Sequence, residues 1–278
     1  MSPPLILVTG ATGFIGSHLV RRLLAEGYPV RALVWKDDPG RGKLTGVEQI
    51  EGDIRDAGSV VRAVAGADWV IHLAGKAHDL EELGDTGEHD AITAQGTRHV
   101  VDACREGGVR ALVFLSSLAV YSPGGDRELD ESAPCEPETP YGRAKLAAER
   151  YALEHCGAVR TCCLQPAMVY GAGVRGNLPR MIRMVQRGLF PPIPPVPNRR
   201  SLAYVEDVVE AVLLAARRPE SGSQRYIVTD DRGYSTREMY EMILSALGRK
   251  PPRWHVPARA LRALARLGDA GGRLRGRR

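Results

Sequence analysis

The chain has 278 residues, 44% hydrophobic and 26% charged, with a net charge of +5. This composition suits a water-soluble α/β domain with an extended core and excludes collagen-like and wholly disordered chains. No apolar stretch approaches the roughly 20 residues that cross a bilayer. Met1-Ser2-Pro3-Pro4 lacks the basic start of a signal peptide, so the expected location is cytoplasmic. The cysteines Cys104, Cys135, Cys156, Cys162 and Cys163 show no C-x-x-C spacing; they read as reduced thiols, and no metal is expected.

In chain order, the apolar run Leu5–Val8 predicts a first strand, followed by the glycine turn Gly10-Ala11-Thr12-Gly13-Phe14-Ile15-Gly16 and an amphipathic helix over Ile15–Glu26. Glycines at this spacing let backbone N–H groups approach a pyrophosphate, and the helix N-terminus favours its negative charge. Further strands are predicted over Val30–Val34, Val47–Glu51, Trp69–Leu73, Ala111–Ser116 and Val159–Leu164, with helices over Ala57–Ala65, Ile92–Arg105 and Tyr141–His155. Strands alternating with helices imply right-handed crossovers. The expected fold class is therefore α/β, a Rossmann-type doubly wound parallel sheet with a small C-terminal lobe.

After Gln165-Pro166 the pattern changes. Helices are predicted over Pro179–Arg187, Val205–Arg217 and Ser235–Leu247, the last with Ser235 as N-cap and Glu238 in the capping-box position. Tyr226–Val228 reads as a short strand. The stretch Pro191–Pro197 is too proline-rich for a helix or central strand. It is either a surface connector or a wall of a substrate cleft. The expected division is a dinucleotide-binding domain over 1–165, with 201–218 returning to it, and a substrate lobe over 166–200 and 219–278.

The second strand ends in Val34-Trp35-Lys36-Asp37-Asp38. A cation at Lys36, with Arg31 earlier, suits a 2′-phosphate and points to NADP; Asp37 and Asp38 folding back would suit the ribose hydroxyls of NAD. Asp53, beyond the third strand, could take the adenine amino group or be plain turn chemistry. Tyr141 and Lys145 are four apart and share a helix face. An ammonium there lowers a phenol's pKa and makes it a general acid/base. Ser116-Ser117, at the end of the fifth strand, supplies a hydroxyl for a substrate oxygen; strand-end capping is its plainer role.

These motifs are similar to those of the extended short-chain dehydrogenases/reductases, in the NAD-dependent epimerase/dehydratase group. Beside the glycine turn and Tyr141-Gly142-Arg143-Ala144-Lys145, the resemblance rests on Gly52-Asp53-Ile54, His72-Leu73-Ala74-Gly75, Gly96-Thr97, Ser116–Tyr121, Pro166–Gly171 and Arg200–Asp207. It implies Ser117, Tyr141 and Lys145 as catalytic residues. It implies a cofactor site of Gly10, Thr12, Gly13, Phe14, Ile15, Gly16, Trp35, Lys36, Asp53, Ile54, Leu73, Ala74, Gly75, Tyr141, Lys145 and Pro166 for NAD or NADP, with Asp53 and Ile54 at the adenine. It implies Ser117, Asn177 and Arg200 at a nucleotide-sugar substrate, and a homodimer. Thr93 stands where the family usually has Asn, Gln165 where it often has Arg, and the lobe is shorter than usual. Leu118 and Ala119 replace the Asp-Glu pair of the dehydratases.

The implied activity is 4-epimerisation of a nucleotide sugar by transient oxidation at C4, with an NADPH-dependent 4-ketoreductase as alternative. A non-catalytic dinucleotide sensor is the rival from another class. Between Arg249 and Arg278 ten Lys or Arg accompany a single acid, Asp269. The basic amphipathic stretch Ala258–Leu267 is either a lobe helix with a solvated face or a peripheral contact for an anionic membrane. Nucleic acid is not an expected partner, since no nucleic-acid motif accompanies the charge.

Overall fold

The computed structural model describes residues 2–76, 86–121, 128–174, 176–195, 198–218, 223–257 and 259. They form two compact units. The first spans most of the chain to Val169 and takes back Ala203–Val228; the second holds Tyr170–Leu202 and the residues from Thr229 onward.

The first unit is built on a seven-stranded sheet of β1 (Ile6–Thr9), β2 (Val30–Val34), β3 (Glu48–Glu51), β4 (Trp69–His72), β5 (Ala111–Leu115), β6 (Arg160–Pro166) and β9 (Gln224–Val228). The order is β3-β2-β1-β4-β5-β6-β9 and every neighbouring pair is parallel. Strands buried on both faces need continuous apolar runs, which is what Ile6-Leu7-Val8 and Leu112-Val113-Phe114 provide. Alternate residues feed opposite layers. Ile6 and Val8 pack with Leu19 and Leu23 of α1 (Phe14–Ala25) and with Val208, Val209 and Val212 of α7 (Val205–Arg217). Leu7, Leu112 and Phe114 pack with α2 (Ala57–Val64), α4 (Gly96–Glu106) and α5 (Pro140–His155). The chain leaves β1 toward β2 on one side and returns at β4 on the other. The carboxyl ends of β1 and β4 therefore flank the switch point where such sheets bind ligands.

The predicted alternation is present, with three differences. The helix expected from Ile92 begins earlier, as α3 (Thr86–His89), and passes through a π-helical segment over Asp90–Gln95 before α4. β6 extends to Pro166 because it pairs with β9 as far as Val228. A three-stranded sheet of β7 (Met168–Tyr170), β8 (Arg200–Tyr204) and β10 (Gly233–Tyr234) was not foreseen.

In the second unit, β10 pairs antiparallel with β8 through Tyr234 and Arg200. α6 (Asn177–Gln186) meets α8 (Thr236–Ala246) through Val185, Tyr240 and Leu244. The Ser235 and Glu238 capping box starts α8 as predicted. Pro191–Pro195 has no regular structure, and Val196-Pro197 lies outside the described residues. So does the predicted stretch Ala258–Leu267, except for Arg259. Among the described residues no helix is long and apolar enough to cross a membrane, and all five cysteines are free thiols.

Candidate active site

The glycine turn closes the carboxyl end of β1. Gly10 has φ 71°, and a Cβ there would stand 2.8 Å from the Ala74 nitrogen. A Cβ on Gly16 would meet the Gly10 carbonyl oxygen at 2.1 Å. The turn is thus pressed against the exit of β4 and against its own helix, which only glycine allows. α1 opens at Gly13, which offers no capping side chain. The orphan amides of the first turn need a polar partner, and a pyrophosphate meets that need. The predicted phosphate residues Gly10, Thr12, Gly13, Phe14, Ile15 and Gly16 are therefore contiguous with Leu73, Ala74 and Gly75.

Beyond β2, Asp38 folds back on this turn. Its carboxylate accepts from Thr12 Oγ1 at 2.5 Å and from the Gly40 amide at 2.7 Å. Trp35 is 53% exposed and Lys36 is exposed. Arg31, one of the two cations behind the NADP expectation, is committed elsewhere. It donates to the carbonyls of Ala63 and Ala65 and pairs with Glu48 at 2.9 Å. No local pattern signals the Thr12–Asp38 bond, because a carboxylate 26 residues away reaches the turn only through the fold. Asp53 holds Arg55 at 2.6 Å, which keeps its carboxyl below the usual range. The Ile54 side chain is buried against Gly96, so it belongs to the core on the helix side.

A buried hydrogen-bonded chain links the turn to β4 and α4. His72 Nδ1 meets Thr9 Oγ1 at 2.6 Å, His72 Nε2 meets Thr97 Oγ1 at 3.0 Å, and Thr97 Oγ1 donates to the Thr93 carbonyl at 2.6 Å. The Ala74 amide donates to the same Thr9 hydroxyl at 3.2 Å. Burial, reinforced by the Lys145 charge, pushes the His72 pKa down to about 3, so the ring stays neutral. His72 stood in the quoted motif but was given no role there. Its place at the end of a buried strand was the available signal.

Ser117, Tyr141 and Lys145 come together from β5 and α5. Thr139 caps α5 by accepting from the Gly142 amide at 3.0 Å, and Pro140 occupies the first helical turn. A Cβ on Gly142 would stand 2.2 Å from the Ala119 carbonyl oxygen. This close approach brings the start of α5 onto the Ser117 loop. The Ser117 hydroxyl acts on the Tyr141 phenol and opposes the burial-driven rise of its pKa, and the Ala119 amide donates to Ser117 Oγ at 3.1 Å. The neighbouring Ser116 Oγ is buried without a partner, so Ser117 is the serine that faces the tyrosine. Lys145 Nζ donates to the Leu115 carbonyl at 2.8 Å and lies 4.9 Å from the Phe114 ring centre.

A side chain at Gly75 would meet Lys145 Nζ and Thr93 Oγ1, each at 3.4 Å. Gly75 therefore lies close against the lysine ammonium and against the Thr93 hydroxyl that stands in place of the family's Asn. Thr93 lies in the π-helical segment, a device common at functional sites. His89 is a second group that sequence reasoning did not single out. Its ring packs edge-on to Tyr141 at 6.0 Å, with Nδ1 buried and unpartnered.

The electrostatics correct one expectation. Burial pushes the Tyr141 phenol up, opposed by the Ser117 hydroxyl. Lys145, which the sequence reading expected to lower it, is not among the groups that shift the phenol here, and burial brings the Lys145 pKa itself down to about 8.

Pro166 ends β6 in the first unit. The expected substrate residues belong to the second: Asn177 opens α6 and Arg200 opens β8, both exposed.

The model of the NAD dependent epimerase/dehydratase family matches residues 6–229. A UDP-glucose 4-epimerase of Vibrio cholerae is 30% identical over 270 residues, covering 92% of this chain and 79% of the relative. A 4-hydroxy-2-methyl-3-oxo-4-farnesyl-3,4-dihydroquinoline-1-oxide ketoreductase of Stigmatella aurantiaca is 30% identical over 268 residues, covering 95% and 79%. Among solved structures, MoeE5 in complex with UDP-glucose and NAD superposes with a TM-score of 0.77 at 31% identity, covering 88% of this chain and 83% of that one. With its glycine turn, its Ser117, Tyr141 and Lys145 grouping and a family match over most of its length, this chain belongs to the NAD dependent epimerase/dehydratase family.

Proposed function

We propose that this protein is a nucleotide-sugar 4-epimerase that works by transient oxidation at C4. The observation that carries this reading is the close approach of Gly142 to the Ala119 carbonyl, which sets the start of α5 with Tyr141 against the Ser117 loop, with Lys145 one turn further along the same helix. Tyr141 takes the proton of the C4 hydroxyl and later returns one. Ser117 holds and polarises that oxygen. Lys145, protonated below about pH 8, supplies the positive charge that stabilises the phenolate and anchors the cofactor's ribose. NAD, when bound, supplies the hydride acceptor and donor at C4. The cradle fits it, since the Gly10 and Gly16 positions exclude side chains and the first amides of α1 need an anion.

NAD is favoured over the NADP of the sequence reading. Asp38 sits at the turn, where a carboxylate accepts from ribose hydroxyls and repels a 2′-phosphate, and Arg31 is engaged elsewhere. Asn177 is assigned to the sugar nucleotide and Arg200 to its diphosphate, where a guanidinium fork suits phosphate oxygens. Homodimer formation and contact of the basic tail with an anionic surface complete the reading. A chain ending at Pro257 that floats with anionic liposomes as well as the full chain does would remove the tail contact.

A second reading, a ketoreductase that consumes NADPH, is favoured by the Stigmatella aurantiaca relative and by exposed Lys36. Incubation with UDP-glucose and UDP-N-acetylglucosamine, with and without NADPH, separates the two. A C4 epimer without cofactor consumption is expected. Stoichiometric NADPH oxidation supports the reductase, and no turnover in either condition defeats both.

A further inference from the structure

A second buried polar cluster lies behind the catalytic residues. Glu149 stands one turn after Lys145 on α5 and is 1% exposed. Gln165, fully buried next to Pro166, donates from Nε2 to both Glu149 oxygens at 3.0 and 2.9 Å. Its Oε1 accepts from the Tyr121 hydroxyl at 2.8 Å. Arg225 of β9 lies 3.5 Å from the Glu149 carboxylate and donates to Cys135 Sγ at 3.1 Å. One carboxylate therefore ties together the helix carrying Tyr141 and Lys145, the loop after Ser117 that ends in Tyr121, and the strand that ends at Pro166.

A buried carboxylate persists only when paired and hydrogen-bonded. The residue at 165 is close enough to pair with Glu149 directly, yet here it is an uncharged amide. The cation comes from β9 instead.

We propose that Glu149 is a positioning residue for Lys145, and that Arg225 supplies the counter-charge that an arginine at 165 would otherwise provide. The proposal rests on the reading of Lys145 as a catalytic group. Burial pulls the Lys145 pKa down to about 8, while Cys163 and then Glu149 oppose that fall. Burial pushes the Cys163 thiol far up, so it is uncharged and Glu149 is the anion that remains. The other groups around the ammonium are Tyr141 on α5, which is neutral, and His72 on β4, also neutral. The Leu115 carbonyl and the Phe114 ring come from β5. Around Glu149 the charged and titratable groups are Arg225, Cys135, Cys163, Tyr121 and Lys145.

The test needs neither substrate nor cofactor. The chain has only five lysines, Lys36, Lys43, Lys76, Lys145 and Lys250, so carbon-13-labelled lysine gives five resolvable titrations by NMR. The Lys145 signal is the one lost in Lys145→Arg. In Glu149→Gln its midpoint is expected to fall by about one pH unit; an unmoved or raised midpoint overturns the proposal. In Arg225→Gln the midpoint is expected to rise, because the carboxylate loses its nearer cation, and a fall overturns it. This second variant decides if Glu149→Gln does not fold.

Arg225→Gln is also expected to lower the Tm, and adding Gln165→Arg to restore it. A double variant no more stable than Arg225→Gln alone contradicts the exchange of counter-charges. Binding of NAD+ to the wild-type chain is measured separately. Its absence alongside a shifted Lys145 midpoint would sink the cofactor reading and leave this one standing.

Discussion

The two units carry different kinds of chemistry. The first places its chemical groups behind packed apolar layers: Lys145 and His72 are buried, and the glycine turn is closed by backbone contacts too short for any side chain. The second joins its elements through small clusters around Val185 and Leu202 and leaves Asn177 and Arg200 exposed. Buried groups have perturbed protonation and fixed geometry, the properties needed to move a proton at a defined atom. In the proposed function the exposed Arg200 meets the charge of the substrate and can change without disturbing the reaction. The contrast explains why this chain discloses a reaction type more readily than a sugar.

The comparison can be broken most severely at Tyr141. Tyr141→Phe should lose roughly 100- to 10,000-fold in turnover with NAD+ affinity unchanged, read by rate assays and by titration. Full activity in that variant would return the first unit to a sensing role. Next comes His72, whose ring stays neutral in the fold. Below pH 6.5 the unfolded chain binds a proton that the folded chain refuses until about pH 3. Stability should therefore drop as pH falls, by about 3 kcal/mol at pH 4 from this group. Urea unfolding across pH 4–7 checks it. His72→Asn should lose that part of the slope, and an unchanged slope would argue against a neutral buried ring.

Smaller effects belong to the second unit. Arg200→Ala should weaken UDP binding about tenfold while NAD+ binding, by calorimetry, stays as in wild type. A matching loss of NAD+ affinity would contradict the division of labour. Ser235→Ala should remove the capping box of α8 and cost about 1 kcal/mol, detected as faster amide exchange in α8 without change in the parallel sheet.

Most of the first unit was legible in the sequence because its central parallel strands are short apolar runs, as Ala111–Leu115 shows, and its helices keep an apolar stripe. Tyr141, Lys145 and Ser117 were legible from spacing and motif. β7, β8 and β10 were not. They have two to five residues of mixed exposure, with no periodicity for a local pattern to display. The early start of the helix at Thr86 was hidden because its π-helical segment breaks the 3.6-residue period. Asp38 at Thr12, and Arg225 at Glu149, join residues 26 and 76 positions apart. Only the sheet order makes them neighbours. The rise of the Tyr141 pKa was equally invisible, because desolvation depends on what packs around the phenol rather than on the lysine four residues along.

The most direct test follows the hydrogen at C4. With UDP-glucose deuterated at C4 and no added cofactor, the account predicts conversion to the C4 epimer with deuterium retained at that carbon, read by NMR and mass spectrometry. Epimerisation with loss of the label to solvent would contradict hydride transfer and return within a single site.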